Sequence, residues 1–167
     1  MVVSTGGGGG RVLGGRRVDG GTGNAGHIGH LVVDPDGPPC PCGSRGCLEA
    51  IARGPAIAAH AVEHGWTGAQ TGVAVAEGAR SGDQACRAAF ERAGRAVGTA
   101  IVSATALLDL DVVTIGGGIA QTGDLFLDPV QAAFDELAGL AFIRRCQIVP
   151  ARLGPLAGLS GAAALVL

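Results

Sequence analysis

Residues 27–49 read His27-Ile-Gly-His30-Leu-Val-Val-Asp-Pro-Asp-Gly-Pro-Pro-Cys40-Pro-Cys42-Gly-Ser-Arg-Gly-Cys47-Leu-Glu49. Three of the chain's five cysteines fall within this short stretch, and two of its four histidines stand at its start. Three thiolates and one imidazole form a Cys₃His set, a closed tetrahedral donor set for zinc. Proline stiffens the intervening chain and glycine lets it turn, so the sulfurs can converge without a helix or strand to carry them. The spacing Cys-x-Cys-x₄-Cys differs from the paired Cys-x₂-Cys arithmetic of common zinc modules. Two other readings therefore stand beside the metal: three reduced loop cysteines, or a disulfide. Cys40 and Cys42 are too close in the chain to bridge easily. No secretory signal is evident, which favours a reducing compartment. His27 and His30 compete for the fourth ligand position, and ligand chemistry does not choose between them.

Outward from this stretch, 167 residues predict one domain with a true core. With 47% hydrophobic but only 3% aromatic residues, that core must be aliphatic and rich in alanine. A net charge of −2 supplies no electrostatic attraction for nucleic acid. No apolar run is long enough to cross a bilayer, and a cytoplasmic protein is expected. All twelve basic residues are arginine.

Met1–Thr5 predicts a strand without a lead-in. Gly6–Gly10 follow, then strand candidates at Arg11–Leu13 and Arg16–Asp19 around a Gly14-Gly15 hairpin signal. A glycine run can bring backbone N–H groups up to an anion. A Walker A loop, however, ends in Gly-Lys-Ser/Thr, and a chain without lysine cannot form one. By residues alone, a flexible tract is the competing reading.

Leu48–His64 predicts a helix interrupted at Gly54-Pro55. Within it, His60-Ala-Val-Glu63-His64 matches the His-x-x-Glu-His pattern of a metalloprotease class. No downstream glutamate offers itself as third ligand, and the helix stops at Gly65, so a solvated helix end is the reading here. Further helices are expected over Thr71–Arg80 and Asp83–Leu108. The second carries a buried stripe of Ala93, Val97, Ala100, Ile101, Ala104 and Leu108, with Gly94 and Gly98 allowing close packing. Asp111–Ile115 predicts a buried strand running into Gly116-Gly117-Gly118. A helix over Gly123–Leu140 follows, with Leu125, Phe126, Val130, Phe134 and Leu137 facing inward. Strand, glycines and helix is how α/β proteins seat a nucleotide, although Gln121 replaces the third glycine of a dinucleotide fingerprint. Gln147–Pro150 predicts another strand and Ser160–Leu167 a last helix. Cys86 and Cys146 read as small core residues. An antiparallel start followed by βα units predicts an α/β fold, a mixed sheet flanked by helices.

Gly26-His27-Ile-Gly-His30 followed by Cys40-Pro-Cys42-Gly-Ser-Arg-Gly-Cys47-Leu-Glu49 closely resembles the signature of the ROK family, bacterial sugar kinases and sugar-responsive repressors. The resemblance implies that His30, Cys40, Cys42 and Cys47 bind a structural zinc, and that His30 and Glu49 face sugar hydroxyls. His27 stands where the family more often has a sugar-binding glutamate; it can still donate or accept. Ser4-Thr5-Gly6 and the glycines after it resemble the family's second phosphate loop, which implies that Thr5 and Gly6 contact ATP phosphates. Gly116, Gly117 and Gly118 would pack against adenine and ribose. The implied fold is the ribonuclease-H-like lobe of hexokinases and actin-like ATPases.

The resemblance spans residues 1–167 but only the family's C-terminal lobe. Its N-terminal motifs, an Asp-x-Gly-x-Thr loop and an Asn-Asp pair whose aspartate is the base, are not found here. The expectation is thus the C-terminal half of a glucokinase-like enzyme, inactive alone, with a hexose and ATP/Mg as partners and a homo-oligomer as the assembly. The competing expectations are the sugar-sensing domain of a ROK repressor lacking its DNA-binding region, and a zinc-binding remnant without activity.

Overall fold

The computed structural model describes residues 1–163. Strands β1 (Val2–Val3) and β2 (Gly7–Gly8) pair antiparallel, as do β3 (Val12–Leu13) and β4 (Arg16–Arg17), with Leu13 opposite Arg16. The hairpin at Gly14-Gly15 is as expected. The first strand is shorter than the sequence suggests, because the Ser4 N–H bonds back to the Gly6 carbonyl and bends the chain.

The helices follow their signals closely. α1 (Leu48–Ala52) and α2 (Gly54–Glu63) are separated at Arg53, whose extended backbone precedes Gly54-Pro55. Pro55 sits in the first turn of α2, where a missing N–H costs nothing. α3 (Gly72–Arg80) is capped by Thr71, whose Oγ1 accepts the Ala74 N–H at 3.2 Å. α4 (Gln84–Leu108) is capped by Asp83, which accepts the Cys86 N–H at 2.9 Å. Such caps satisfy N–H groups that the helix itself leaves unpaired. Strand β5 (Val112–Ile115), helices α5 (Asp124–Leu137) and α6 (Ala141–Arg144), strand β6 (Gln147–Pro150) and helix α7 (Ala157–Ala163) complete the described chain.

β5 and β6 run parallel, Val112 beside Gln147 and Ile115 beside Pro150. β1 joins the far end of β5: the Val3 N–H donates to the Gly116 carbonyl at 2.8 Å, and the Gly116 N–H to the Met1 carbonyl at 2.9 Å. One isolated parallel bridge, Val2 to Gly116, thus links the antiparallel pair β1–β2 to the parallel pair β5–β6; both pairing senses occur, but in two-stranded pieces rather than in the one mixed sheet expected.

α4 is the hub of the core. Phe90, Val97 and Ile101 of α4 and Phe126, Val130 and Phe134 of α5 are all buried, and each such side chain contributes about 1.5–3 kcal/mol. The glycines expected to allow close packing do so. A Cβ on Gly94 would lie 2.5 Å from the Pro129 Cβ, and one on Gly98 would lie 2.7 Å from the Ala133 Cβ. Cys86 and Cys146 are buried, as read.

Several expectations need correction. β5 is not a buried strand: Val112 is 51% exposed and only Ile115 is fully enclosed. Ala104 and Leu108 likewise leave the buried stripe, and Thr105 takes the enclosed position. Both departures have one cause, an open apolar cavity of about 650 Å³ bordered by Met1, Leu107, Leu108, Leu110, Val112 and Thr114. Finally, α5 stops at Leu137, which is 38% exposed rather than inward. Ala138 leaves helical geometry there (ψ 79°) and Gly139 follows. The last helix begins at Ala157, ahead of Ser160, and its expected continuation over 164–167 lies outside the described residues.

Candidate functional site

The cysteine stretch is held by its own backbone. The Leu48 N–H donates to the Leu31 carbonyl (2.9 Å), Val33 to Gly46 (2.9 Å), Gly46 to Pro38 (2.8 Å) and Cys40 to Ser44 (2.8 Å). Val32 faces Cys47 and Pro39 faces Arg45 in antiparallel bridges. The loop is therefore not free of strand-like support, as its prolines and glycines suggested, but a narrow folded-back ribbon. Gly46 closes it at φ +62°, and a Cβ there would fall 1.5 Å from the Asp34 carbonyl oxygen, so no other residue fits.

This ribbon brings His30, Cys40, Cys42 and Cys47 together, with one donor atom from each lying within 4.8 Å of the others. His30 Nδ1 is 3.7 Å from Cys40 Sγ, and Cys42 Sγ is 3.7 Å from Cys47 Sγ. All the cysteines are free, which removes the disulfide reading. Zn–S bonds of about 2.3 Å and Zn–N bonds of about 2.0 Å in a tetrahedron put donors roughly 3.5–3.8 Å apart. Two of the donor pairs stand at that spacing, and the donor chemistry suits such an ion. Between the two histidines, the geometry selects His30. His27 is exposed and stacks on the His30 ring at 5.4 Å between centroids. Cys40 and Cys47 are buried and Cys42 is exposed. The Cys42 thiol is drawn down to about 7, first by the Ser44 backbone hydrogen bond and then by Cys40. Burial pushes the Cys47 thiol up to about 11.

Glu49 follows directly, in the first turn of α1. Its Oε2 accepts the Gly7 N–H at 2.8 Å. A Cβ on Gly6 would stand 3.3 Å from the same oxygen. The carboxylate therefore binds the cysteine ribbon to the glycine loop, leaving Oε1 without a protein partner among the described residues. Thr5 lies exposed at the bend of that loop, between β1 and β2. The second glycine turn lies beside it. The Ile119 N–H donates to the Val3 carbonyl (3.1 Å), and a Cβ on Gly118 would meet Ser4 Oγ at 3.5 Å. Gly117 has φ +98° and passes so near Val3 that a Cβ would lie 2.3 Å from its carbonyl oxygen. The Gly54 N–H, at the start of α2, anchors the Ser4 carbonyl at 2.8 Å. Residues 4–7, 27–30, 49 and 116–118 thus form one connected surface. The large, mainly apolar cavity borders it at His27 and His30.

The sequence model of the ROK family matches residues 1–167. The chain belongs to the ROK family. The N-acetylmannosamine kinase of Haemophilus influenzae (strain PittEE) is 39% identical over 163 residues, which is 98% of this chain and 52% of that protein. A ROK family glucokinase from Streptomyces griseus, crystallised in complex with glucose and AMPPNP, superposes with a TM-score of 0.87 at 32% identity, covering 98% of this chain and 58% of that one. A ROK family transcriptional regulator, homologous to the MLC protein of E. coli, superposes with a TM-score of 0.78 at 27% identity, covering 89% of this chain and 40% of that one. The fold is accordingly that of the ROK glucokinases, an actin-like ATPase fold. The chain spans about half the length of the curated relatives it matches.

Sequence reasoning missed Gly7 as the partner of Glu49. Its only signal was its place directly after Gly6. It also missed the anchor at Gly54, where glycine and proline read only as a helix break.

Proposed function

We propose that this ROK chain is the C-terminal, ribonuclease-H-like lobe of an ATP-dependent sugar kinase, and that it binds both substrates of phosphoryl transfer. His30, Cys40, Cys42 and Cys47 would hold a structural zinc. A Cys₃His site is coordinatively closed, so what the metal supplies is a fixed loop. Glu49 and His30, with His27 beside them, would accept and donate hydrogen bonds to the sugar. Thr5 and Gly6 would contact the phosphates of ATP/Mg, and Gly116, Gly117 and Gly118 its adenine and ribose.

One observation carries this reading: the hydrogen bond between Glu49 Oε2 and the Gly7 N–H. It sets the carboxylate meant for the sugar against the loop meant for the phosphates. Phosphoryl transfer depends chiefly on holding the two reactants in line and neutralising the moving charge. Glu49 can serve both ends, orienting a hydroxyl through Oε1 while Oε2 fixes the loop. The base that takes the hydroxyl proton is assigned to the other half of the kinase. The substrate class is a hexose or an N-acylated hexosamine, in keeping with the two kinases it resembles. The regulator resemblance favours a second reading, a sugar sensor. Thr5 and Gly6 favour the kinase, because a sensor has no need of a phosphate loop.

Calorimetry separates these readings. Glucose or N-acetylmannosamine, added with Mg²⁺ and AMPPNP, should bind the zinc-loaded chain and lose that binding in Glu49→Gln. The chain alone should not turn over ATP. Sugar binding unchanged in Glu49→Gln would remove Glu49 from the site, and sugar-dependent ATP hydrolysis by the chain alone would overturn the placement of the base elsewhere. Sugar binding without any AMPPNP binding would favour the sensor.

A further inference from the structure

Outside this surface, a second group of metal-ligating side chains comes together at the end of α2. His60, Glu63 and His64 each offer one donor atom, all within 4.8 Å of one another. Their spacing of i, i+3 and i+4 puts them on one face of the helix. The two imidazole centroids are 4.0 Å apart. His60 is half-buried, and Glu63 and His64 are exposed, so an ion and its waters can reach them.

Three features make this more than a solvated helix end. First, His64 Nδ1 lies 2.7 Å from the His60 carbonyl oxygen. A carbonyl can only accept, so Nδ1 carries the proton and Nε2 keeps its lone pair for a ligand. This is the arrangement by which second-shell groups orient metal-binding histidines. Second, the His60 and His64 rings lie side by side with their planes tilted by 40°, and each can offer a ring nitrogen to one shared ion. Third, the group sits at the C-terminus of a ten-residue helix, whose dipole favours a cation. Glu63 offsets the nearby positive charge of Arg92.

We propose that His60, Glu63 and His64 form a surface binding site for a divalent first-row transition metal, separate from the Cys₃His cluster. Two imidazoles suit Zn²⁺, Ni²⁺ and Cu²⁺, and affinity rises along the series to copper. Three protein ligands leave positions open to water, in contrast to the closed thiolate site. Among the described residues no fourth ligand joins these three, so the site is proposed to bind metal rather than to be a protease centre.

The test uses the untagged chain with its thiolate site first loaded with zinc, titrated with Ni²⁺. Trp66 is the chain's single tryptophan and lies two residues beyond His64, its backbone N–H bonded to the Ala61 carbonyl. Ni²⁺ should quench its fluorescence and bind with one-to-one stoichiometry by calorimetry, releasing no zinc. His60→Ala and His64→Ala should each weaken Ni²⁺ by more than about tenfold, while Arg92→Gln should tighten it. Both histidines can be replaced without touching the core, and unchanged zinc content would confirm that each variant is folded. Ni²⁺ binding that persists in the double variant, or that appears only as zinc is displaced, would overturn the proposal. So would an absence of Ni²⁺ binding to the parent chain.

Discussion

At the scale of single residues, the contact between Glu49 and Gly7 is the most informative. A charge-assisted hydrogen bond accepted by a half-buried carboxylate is worth about 1–2 kcal/mol once solvent screening is allowed for. Glu49→Ala should cost about that much in urea denaturation. Glu49→Gln keeps an oxygen to accept the Gly7 N–H and should cost less, which separates the structural role from the sugar-binding role proposed for it. The thiols make a second prediction, for the metal-free chain. Cys42 loses its proton near 7 when folded, against an ordinary value near 9, so stability rises with pH across that window. Cys47 is held protonated up to about 11, so stability falls again above 9. Thermal melts of the metal-free protein should therefore be highest at about pH 9. At neutral pH iodoacetamide should alkylate exposed Cys42 first and buried Cys47 last, as peptide mass mapping would show. The four donors were legible because cysteine and histidine spacing carries chemistry directly. The choice of His30 over His27 rested on resemblance until the geometry showed His27 stacked outside the set. Gly7 was not legible, because a backbone N–H leaves no mark on residue identity.

At the scale of elements, the contact between α4 and α5 sets the limits. Replacing a helical glycine by alanine ordinarily gains about 0.5–1 kcal/mol. At Gly98 the new methyl would stand 2.7 Å from both the Ala133 Cβ and the Val130 carbonyl oxygen. Backbone cannot swing aside as a flexible side chain can, and overpacking costs about 1–3 kcal/mol. The clash outweighs the propensity, so Gly98→Ala should be less stable by about 1–2 kcal/mol, read as a Tm lowered by several degrees. The helices were legible because their caps, Thr71 and Asp83, and their apolar spacing are local features. Burial at the end of α4 and along β5 was not. Periodicity reports which face is apolar, but Ala104, Leu108 and Val112 border a cavity whose existence depends on distant parts of the chain.

For the molecule as a whole, the fold rests on a small sheet, an alanine-rich helical core and a ribbon whose donors converge. Structural zinc binds small peptides with about 10–16 kcal/mol of free energy, and that energy doubles as folding energy. Removing the metal with a chelator should sharply lower the melting temperature, and zinc alone should restore it. A melt unchanged by chelation would remove the metal from the account. The α/β class and the order of elements were legible from strand and glycine signals. The joining of β1 to β5 was not, because Val3 meets Gly116 through backbone atoms alone.

The tie from Glu49 to Gly7 also makes two occupancies answerable to each other. If the metal-bound ribbon steadies the glycine loop, zinc raises affinity for a triphosphate by some factor. Thermodynamic reciprocity then requires the triphosphate to raise zinc affinity by the same factor. A chelator competing for the ion should therefore need a higher concentration when AMPPNP is present, and that advantage should disappear in Glu49→Ala.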